Sequence, residues 1–363
     1  MISQTNENFD RSIEVLKFGG SSLANPEKVK AAAQCISRRV TSGHHVIAVV
    51  SAMGTTTNEL NNLAQQVSAS PSRRELDMLI SAGERISMAL ISMALNDLGC
   101  PAISFTGSQA GVLTKGTHSD AEISDLKPIR VVDALKDNKV AVVAGFQGVD
   151  PHSKEVTTLG RGGSDITAVA FAHHFNAKHC RFIKDVPGIQ PIDPKWVEND
   201  KVISQVPMRA LLSSCRMGAK VLNPRCVELA LNYRVPLILG PIDGDGKGSE
   251  IRADITAPMQ PLFISVLPSV FEFKESMNEQ VVDWQRFGLL PWALTHYEHD
   301  GNVYYVVHPD HSGFYRSKLE TEGISFQPLQ VTAVIFSDKP KDVTALDALN
   351  ELDFYNGFVH ENM

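Results

Sequence analysis

The first apolar block of the chain, Glu14–Phe18 (EVLKF), has the length of a short strand and runs directly into Gly19 and Gly20. Asn25 followed by Pro26 is an N-cap with proline at the first helical position, which predicts a helix from there through Val40. His45–Val50 (HVIAVV) is uninterrupted enough to be a strand buried on both faces. Arg74–Leu98 carries helical spacing, with Ala, Leu, Met and Ile on one side. Val140–Ala144 (VAVVA) predicts another buried strand, ending at Gly145. Ile166–Phe175 predicts an apolar helix entered through the glycine run Gly160–Gly163. Arg181–Lys184 and Pro236–Leu239 add two more strands. Apolar strands alternating with helices imply an α/β fold whose mostly parallel sheet is covered on both faces.

The pattern changes near Gly240. Gly240–Gly248 (GPIDGDGKG) is glycine-rich, and Pro258 and Pro261 extend a linker beyond it. After it, Leu262–Phe273 predicts a strand and Asn278–Leu290 a helix. Pro291–His299 and Asn302–His308 form a hairpin around Asp300-Gly301, Gly313–Glu322 is a short helix and Leu329–Phe336 a last strand. The order βαββαβ is that of a ferredoxin-like α+β module, and Ala345–Asp353 adds a terminal helix. The expected organisation is a domain over 1–257, with lobes of about 1–150 and 151–257, and a second domain over 258–363.

Composition narrows the function classes. The 363 residues are 43% hydrophobic and 21% charged, as in a folded globular protein. Thirty-four Lys and Arg against 41 Asp and Glu give a net charge of −7, so no global basic field holds nucleic acid or an anionic membrane, and any phosphate must be met locally. Five cysteines without a CxxC pair suit reduced thiols in the cytoplasm rather than a disulfide framework or zinc module. The polar start and the lack of a run of about 18 apolar residues predict neither export nor a membrane span.

Two glycine loops hold the candidate chemistry. Lys17-Phe-Gly-Gly-Ser-Ser22 and Thr158-Leu-Gly-Arg-Gly-Gly-Ser-Asp165 each open a helix after an extended segment, where backbone N–H groups can approach an anion. A glycine turn alone is a weak signal, but here each loop also carries fixed charge: Lys17 in the first, Arg161 and Asp165 in the second.

KFGGSS, VVSAMGTTTNEL (Val49–Leu60), SAGE (Ser81–Glu84), VVAGFQG (Val142–Gly148), TTLGRGGSD (Thr157–Asp165) and GAKVLNP (Gly218–Pro224) occur in one order along the chain. Together they strongly resemble the aspartate kinases, within the amino acid kinase family, from Val15 to about Ile255. The resemblance implies a three-layer αβα sandwich. It also implies an enzyme that phosphorylates the β-carboxylate of L-aspartate with ATP and Mg²⁺, the first step towards lysine, threonine and methionine. It further implies a C-terminal ACT-like region that dimerises. The segment from Pro258 has the length of one such module, so the expectation is a homodimer through a single ACT-like domain with unusual or absent feedback inhibition.

The residues themselves allow the same chemistry. A carboxylate with a solution pKa near 4 is already ionised at neutral pH, so phosphoryl transfer to it needs no general base; it needs relief of repulsion between two anions. Lys17 is suited to charge on the transferring group, and Asp165 to orienting Lys17. A small zwitterion calls for a guanidinium on its α-carboxylate and a carboxylate on its ammonium, roles that fit Arg161 and Glu84. Glu84 has a simpler alternative, a surface ion pair beside Arg85. The resemblance assigns Arg161 and Glu84 to aspartate, with Ser51, Thr57, Phe146 and Ser164 lining the pocket.

For the nucleotide, the phosphate-facing loop is Gly19, Gly20 and Ser21, and the resemblance adds Lys184, Asp185, Gln190, Lys195, Lys220 and Val221. Gln190 stands where the family has an aromatic ring and Lys195 where it has an arginine, so stacking and a bidentate contact are lost and weaker or altered nucleotide binding is expected. DGDGKGS from Asp243 fails P-loop spacing and is a linker. His296, His299, His308 and His311 form two HxxH pairs on a hairpin, a pattern that more often faces solvent than holds a metal, and no metal site is expected. The Met-rich stretch Ile86–Leu95 is expected to be core. Two other readings stay open: a kinase of another small amino acid or carboxylate, and a non-catalytic paralogue.

Overall fold

A computed structural model describes residues 2–190, 202–216, 219–243 and 248–255, and the strand residues 263–267, 270–276, 294–299, 302–307, 327–329 and 332–336. The chain forms two compact units: one of Met1–Ile189 with Glu228–Ala253, the other of Gln190–Val227 with Asp254–Met363.

The first unit begins with β1 (Ile13–Phe18), a 3₁₀ turn at Ser21–Leu23, α1 (Pro26–Thr41) and β2 (His45–Val50). The Asn25 side chain accepts from Lys28 N and caps α1 as its sequence predicts. Three helices follow, α2 (Thr56–Val67), α3 (Arg73–Ile80) and α4 (Ala82–Asp97). Next come β3 (Ala102–Phe105), β4 (Val112–Lys115), β5 (Glu122–Leu126), α5 (Ile129–Lys136) and β6 (Val140–Ala144). Then β7 (Gln147–Val149), β8 (Val156–Thr158), α6 (Gly163–His174) and β9 (Cys180–Ile183) complete the segment up to the second unit's β10 (Gln205–Pro207) and α7 (Met208–Arg216). α8 (Pro224–Tyr233) leads back to the first unit's β11 (Leu237–Gly240) and β12 (Ser249–Arg252).

Within the first unit the large sheet has the order β12-β11-β9-β1-β2-β6-β3. Its pairs are parallel except β11 with β12, as the apolar runs imply. The two-residue period of a strand then sorts its side chains. Leu16, Phe18, Val46, Ala48, Val50, Val140 and Val142 share one core with Val29, Ala33 and Ile36 of α1 and Ile91 and Leu95 of α4. The intervening residues, Lys17 among them, turn to the other face, where α6 packs on β1 and β2. Every residue of α6 except His173 is buried, so this helix is apolar nearly all round. A smaller sheet, β5-β4-β7-β8, lies beside this three-layer core in sequence between α4 and α6.

The structure corrects several expectations. The helix expected over Arg74–Leu98 is broken at Ser81, whose carbonyl accepts from the buried Gln147 side chain at 2.8 Å; a side chain bonded into the helical ladder is a recognised cause of a kink. The Met-rich stretch is only partly core: Ile91 and Leu95 are buried, while Ile86 and Met93 are at least half exposed. α6 starts at Gly163, earlier than its apolar pattern. α2 and the small sheet were not anticipated, because α2 buries no residue completely and the small strands are short and half-polar.

In the second unit, Leu262–Phe273 divides into β13 (Phe263–Leu267) and β14 (Val270–Ser276), with Pro268 between them in sequence. β15 (Leu294–His299) and β16 (Asn302–Val307) pair antiparallel with His299 opposite Asn302, the expected hairpin. The last expected strand also divides, into β17 (Gln327–Leu329) and β18 (Thr332–Phe336), which join different sheets: β15-β16-β14-β17 and β13-β18. The helices expected over Asn278–Leu290, Gly313–Glu322 and Ala345–Asp353, the residues Lys195, Gly218, Pro258, Pro261, His308 and His311, and most of the Asp243–Ser249 linker lie outside the described residues.

Candidate functional site

β1 sits between β2, which follows it, and β9, which follows α6, so its carboxyl end is a topological switch point, the usual ligand position in an open α/β sheet. The loops leaving β1, β2 and β6 are stitched together there. Ser51 N donates to Phe18 O at 3.1 Å, Gly145 N to Val50 O at 3.0 Å and Gly54 N to Gly20 O at 3.0 Å. A Cβ at Gly20 would stand 2.9 Å from Ala52 O, so this approach needs glycine.

Lys17 and Asp165, far apart in sequence, meet here. Strand alternation turns Lys17 towards α6, and Asp165 in the first turn of α6 contacts its Nζ at 2.5 Å. Both residues are buried, at 6% and 7% exposure, so the pair is held away from bulk water. Apart from its two chain neighbours, a methyl group at Gly19 would meet only Lys17 Nζ, at 3.5 Å, among the described residues within 4 Å, which leaves space beside the ammonium for an anion.

Glu84, in the first turn of α4, is 3% exposed, which rules out the surface pairing with Arg85. Its Oε1 accepts from Ala52 N at 2.9 Å, and its Oε2 is buried without a hydrogen-bond partner. Burial pushes its carboxyl up to about 7, against the Ala52 amide and the positive charge of Lys17, which favour ionisation. A buried acid with a spare oxygen is chemically suited to an incoming ammonium group.

The second loop is packed onto the end of β6. Phe146 holds a left-handed φ of 70°, its N–H donating to Thr167 Oγ1 at 3.2 Å and its carbonyl accepting from Leu159 N at 2.9 Å. A Cβ at Gly163 would come within 2.9 Å of the Phe146 ring, and one at Gly145 within 2.7 Å of Ser164 Cβ. Phe146 and Ser164 are therefore neighbours. Arg161 is exposed at the loop tip between Gly160 and Gly162, both with positive φ. Ser51 and Thr57 are half-buried, at the end of β2 and in the first turn of α2.

On the β9 side, Lys28 Nζ reaches both Ser21 O at 2.8 Å and Asp185 Oδ2 at 3.0 Å, and Ser22 Oγ donates to Ile183 O at 3.2 Å. Lys184 N donates to Gly240 O at 2.9 Å. Gln190, Lys220 and Val221 belong to the second unit. Sequence reading missed Lys28, the Ala52 amide, Gln147 and Asp77. Asp77 did leave a signal, since it is a charge one helical turn before Ile80 on the buried face of α3. Among the described residues no group of three or more side chains could ligate a metal.

A model of the amino acid kinase family matches residues 12–240. The chain is 47% identical over 255 residues to the aspartokinase of Mycolicibacterium smegmatis, across 70% of this chain and 61% of that protein. It is 42% identical over 244 residues to that of Geobacillus stearothermophilus, across 67% of this chain and 60% of that protein. It thus spans about 60% of the length of these curated relatives. The solved structure of aspartate kinase from Synechocystis aligns with a TM-score of 0.60 and 32% identity, over 90% of this chain and 60% of that one. E. coli aspartokinase III, solved with aspartate and ADP, aligns with a TM-score of 0.70 over 89% of this chain and 87% of that one; at 20% identity this is a likeness of fold.

Proposed function

Because the chain belongs to the amino acid kinase family, we propose that it is an aspartate kinase, transferring the γ-phosphoryl group of ATP to the β-carboxylate of L-aspartate. The observation that carries this reading is the buried Lys17–Asp165 pair where the two glycine loops meet, with Glu84 close enough to feel the charge of Lys17. Identity of 47% to an aspartokinase supports the choice of acceptor.

The acceptor oxygen is ionised near neutral pH and attacks phosphorus while the bridging P–O bond breaks and ADP leaves. Lys17 offsets the repulsion between the two anions. Asp165 fixes the ammonium in one position; removing one member of such a buried pair costs about 3–5 kcal/mol. Arg161 takes the α-carboxylate and Glu84 the ammonium, which supplies the positive charge that the buried Glu84 Oε2 lacks. Ser51, Thr57, Phe146 and Ser164 line the space between. When bound, ATP with Mg²⁺ supplies the phosphoryl group and neutralises its oxygens, and Mg²⁺ held largely by phosphates needs few protein ligands. Within the first unit, the residues that would hold the nucleotide are Gly19, Gly20, Ser21, Lys184 and Asp185.

We read 258–363 as an ACT-like module through which the chain forms a homodimer. Support comes from the antiparallel order β15-β16-β14-β17, in which the sheet's second, third, first and fourth strands are neighbours. Light scattering at the protomer mass would sink the dimer. The enzyme acts in the cytoplasm, in keeping with five buried cysteine thiols, and opens the route to lysine, threonine and methionine.

The test is a coupled ADP assay with aspartate in which hydroxylamine traps the acyl phosphate. The expected result is aspartate hydroxamate, with turnover falling by about 10²–10³ in Lys17→Ala. Hydroxamate from a different acid alone, or undiminished turnover in Lys17→Ala, would refute the assignment.

A further inference from the structure

Asp77 of α3 meets five hydrogen-bonding groups, and nothing in the proposed chemistry uses it. It is 0% exposed in α3. Oδ1 accepts from Thr158 Oγ1 at 2.7 Å and Ser119 Oγ at 3.0 Å. Oδ2 accepts from Thr158 N at 2.9 Å, Ser119 N at 3.0 Å and, when that ring nitrogen is protonated, His118 Nδ1 at 3.0 Å. The carboxylate therefore joins three segments: α3, the turn between β4 and β5, and the end of β8. A further bond, Ala121 N to Thr158 O at 3.0 Å, ties the same turn to β8.

The placement of these segments gives the cluster a consequence. α3 continues across Ser81 into the first turn of α4, which carries Glu84. Thr158 is the last residue of β8 and leads through Leu159 to Gly160, Arg161 and Gly162, both glycines with positive φ. Asp77 thus fastens the root of the arginine loop to the helix pair that bears the glutamate. We propose that Asp77 is a positioning residue that sets the separation between Arg161 and Glu84, and with it the affinity for the amino-acid substrate. This rests on the reading of Arg161 and Glu84 as the two ends of an aspartate clamp. A zwitterion demands opposite charges at one fixed spacing, and a loop flanked by two glycines does not hold that spacing by itself. A fully buried carboxylate with five donors resists displacement, because any lost bond leaves a buried group unsatisfied.

The experiment compares Asp77→Asn and Thr158→Val with wild type and with Glu14→Gln. The last is a destabilising control in the buried cluster of Glu14, Arg39, His179 and Arg181 at the opposite end of β1. Asp77→Asn keeps the side-chain volume but turns an acceptor into a donor facing donors. Its aspartate KM should rise at least tenfold, with the ATP KM within twofold of wild type and kcat within about threefold. Thr158→Val should move the same way by less, and the double variant by less than the product of the two. In parallel, limited trypsin digestion followed by mass spectrometry should show faster cleavage after Arg161 in Asp77→Asn but not in Glu14→Gln. An unchanged aspartate KM in Asp77→Asn and Thr158→Val, or a fall in kcat that only tracks lost thermal stability as in Glu14→Gln, overturns the proposal. Wild type without aspartate turnover overturns the reading of the site instead, and the tryptic pattern then reports the clasp separately.

Discussion

Glu84 shows how much a single environment can change a residue. In the sequence it is an acid next to Arg85 on a helix; in the fold it is 3% exposed, with one oxygen on the Ala52 amide and the other unpartnered. Burial is the first cause of its pKa of about 7, and the direction has two consequences. Without substrate, the folded state binds a proton that the unfolded state has already released between pH 4.5 and about 7. The stability Glu84 contributes is therefore present below pH 4.5 and lost as pH rises to about 7, by at most about 3 kcal/mol. Glu84→Gln should then be more heat-stable than wild type above pH 7 and lose that advantage towards pH 4.5, read by thermal melts across pH. With substrate the demand reverses. An ionised Glu84 is needed for the ammonium, so kcat/KM for aspartate should rise with pH and level off above about 7. Glu84→Gln should be at least tenfold weaker and lack that inflection. A wild-type profile flat from pH 6 to 8 would count against this role.

At the scale of elements, the start of α6 is where packing and chemistry coincide. Gly162 caps it in a left-handed conformation, and Gly163 lies so close to Leu159 and Phe146 that an added Cβ would stand 2.8 and 2.9 Å from them. Asp165 in its first turn also suits the positive end of the helix. Gly163→Ala should cost about 1–3 kcal/mol through overpacking. It should also lower kcat/KM for aspartate by about ten- to a hundredfold, because Arg161 and Ser164 shift against Phe146. Equal losses in stability and none in catalytic efficiency would mean that the contact only packs. The element pattern itself was largely legible. The strands β1, β2, β6, β9 and β11 are short apolar runs, and α1 is announced by Asn25-Pro26. The break at Ser81 was not, since it depends on Gln147, which is distant in sequence. Nor was the small sheet, whose strands of three to five residues are too short and too polar for a clear period.

At the scale of the molecule, the chain has two compact units, and the pair Lys17–Asp165, Glu84 and Arg161 all belong to the first. Units with their own contacts commonly unfold in separate steps. Calorimetry should resolve two transitions, and aspartate at a hundred times its dissociation constant should stabilise the first unit by about 2.7 kcal/mol. In Glu84→Gln, at the same aspartate concentration, the stabilisation should fall to about 1.4 kcal/mol or less. A single transition moved as a whole by aspartate would mean that the units unfold together.

The sequence by itself determined the parallel α/β order, the two glycine loops and the charges they carry, because strand and helix periods and turn chemistry are written over a few neighbouring residues. It also carried Lys17 and Asp165 as candidates, with Asp165 read as orienting Lys17, but not the burial of their contact. Only the tertiary structure decided that alternation along β1 turns Lys17 onto α6, that Glu84 is buried with a spare oxygen, and that Asp77 gathers Thr158, Ser119 and His118. Burial and the electrostatics it creates are set by residues far apart in the chain, so no local pattern encodes them.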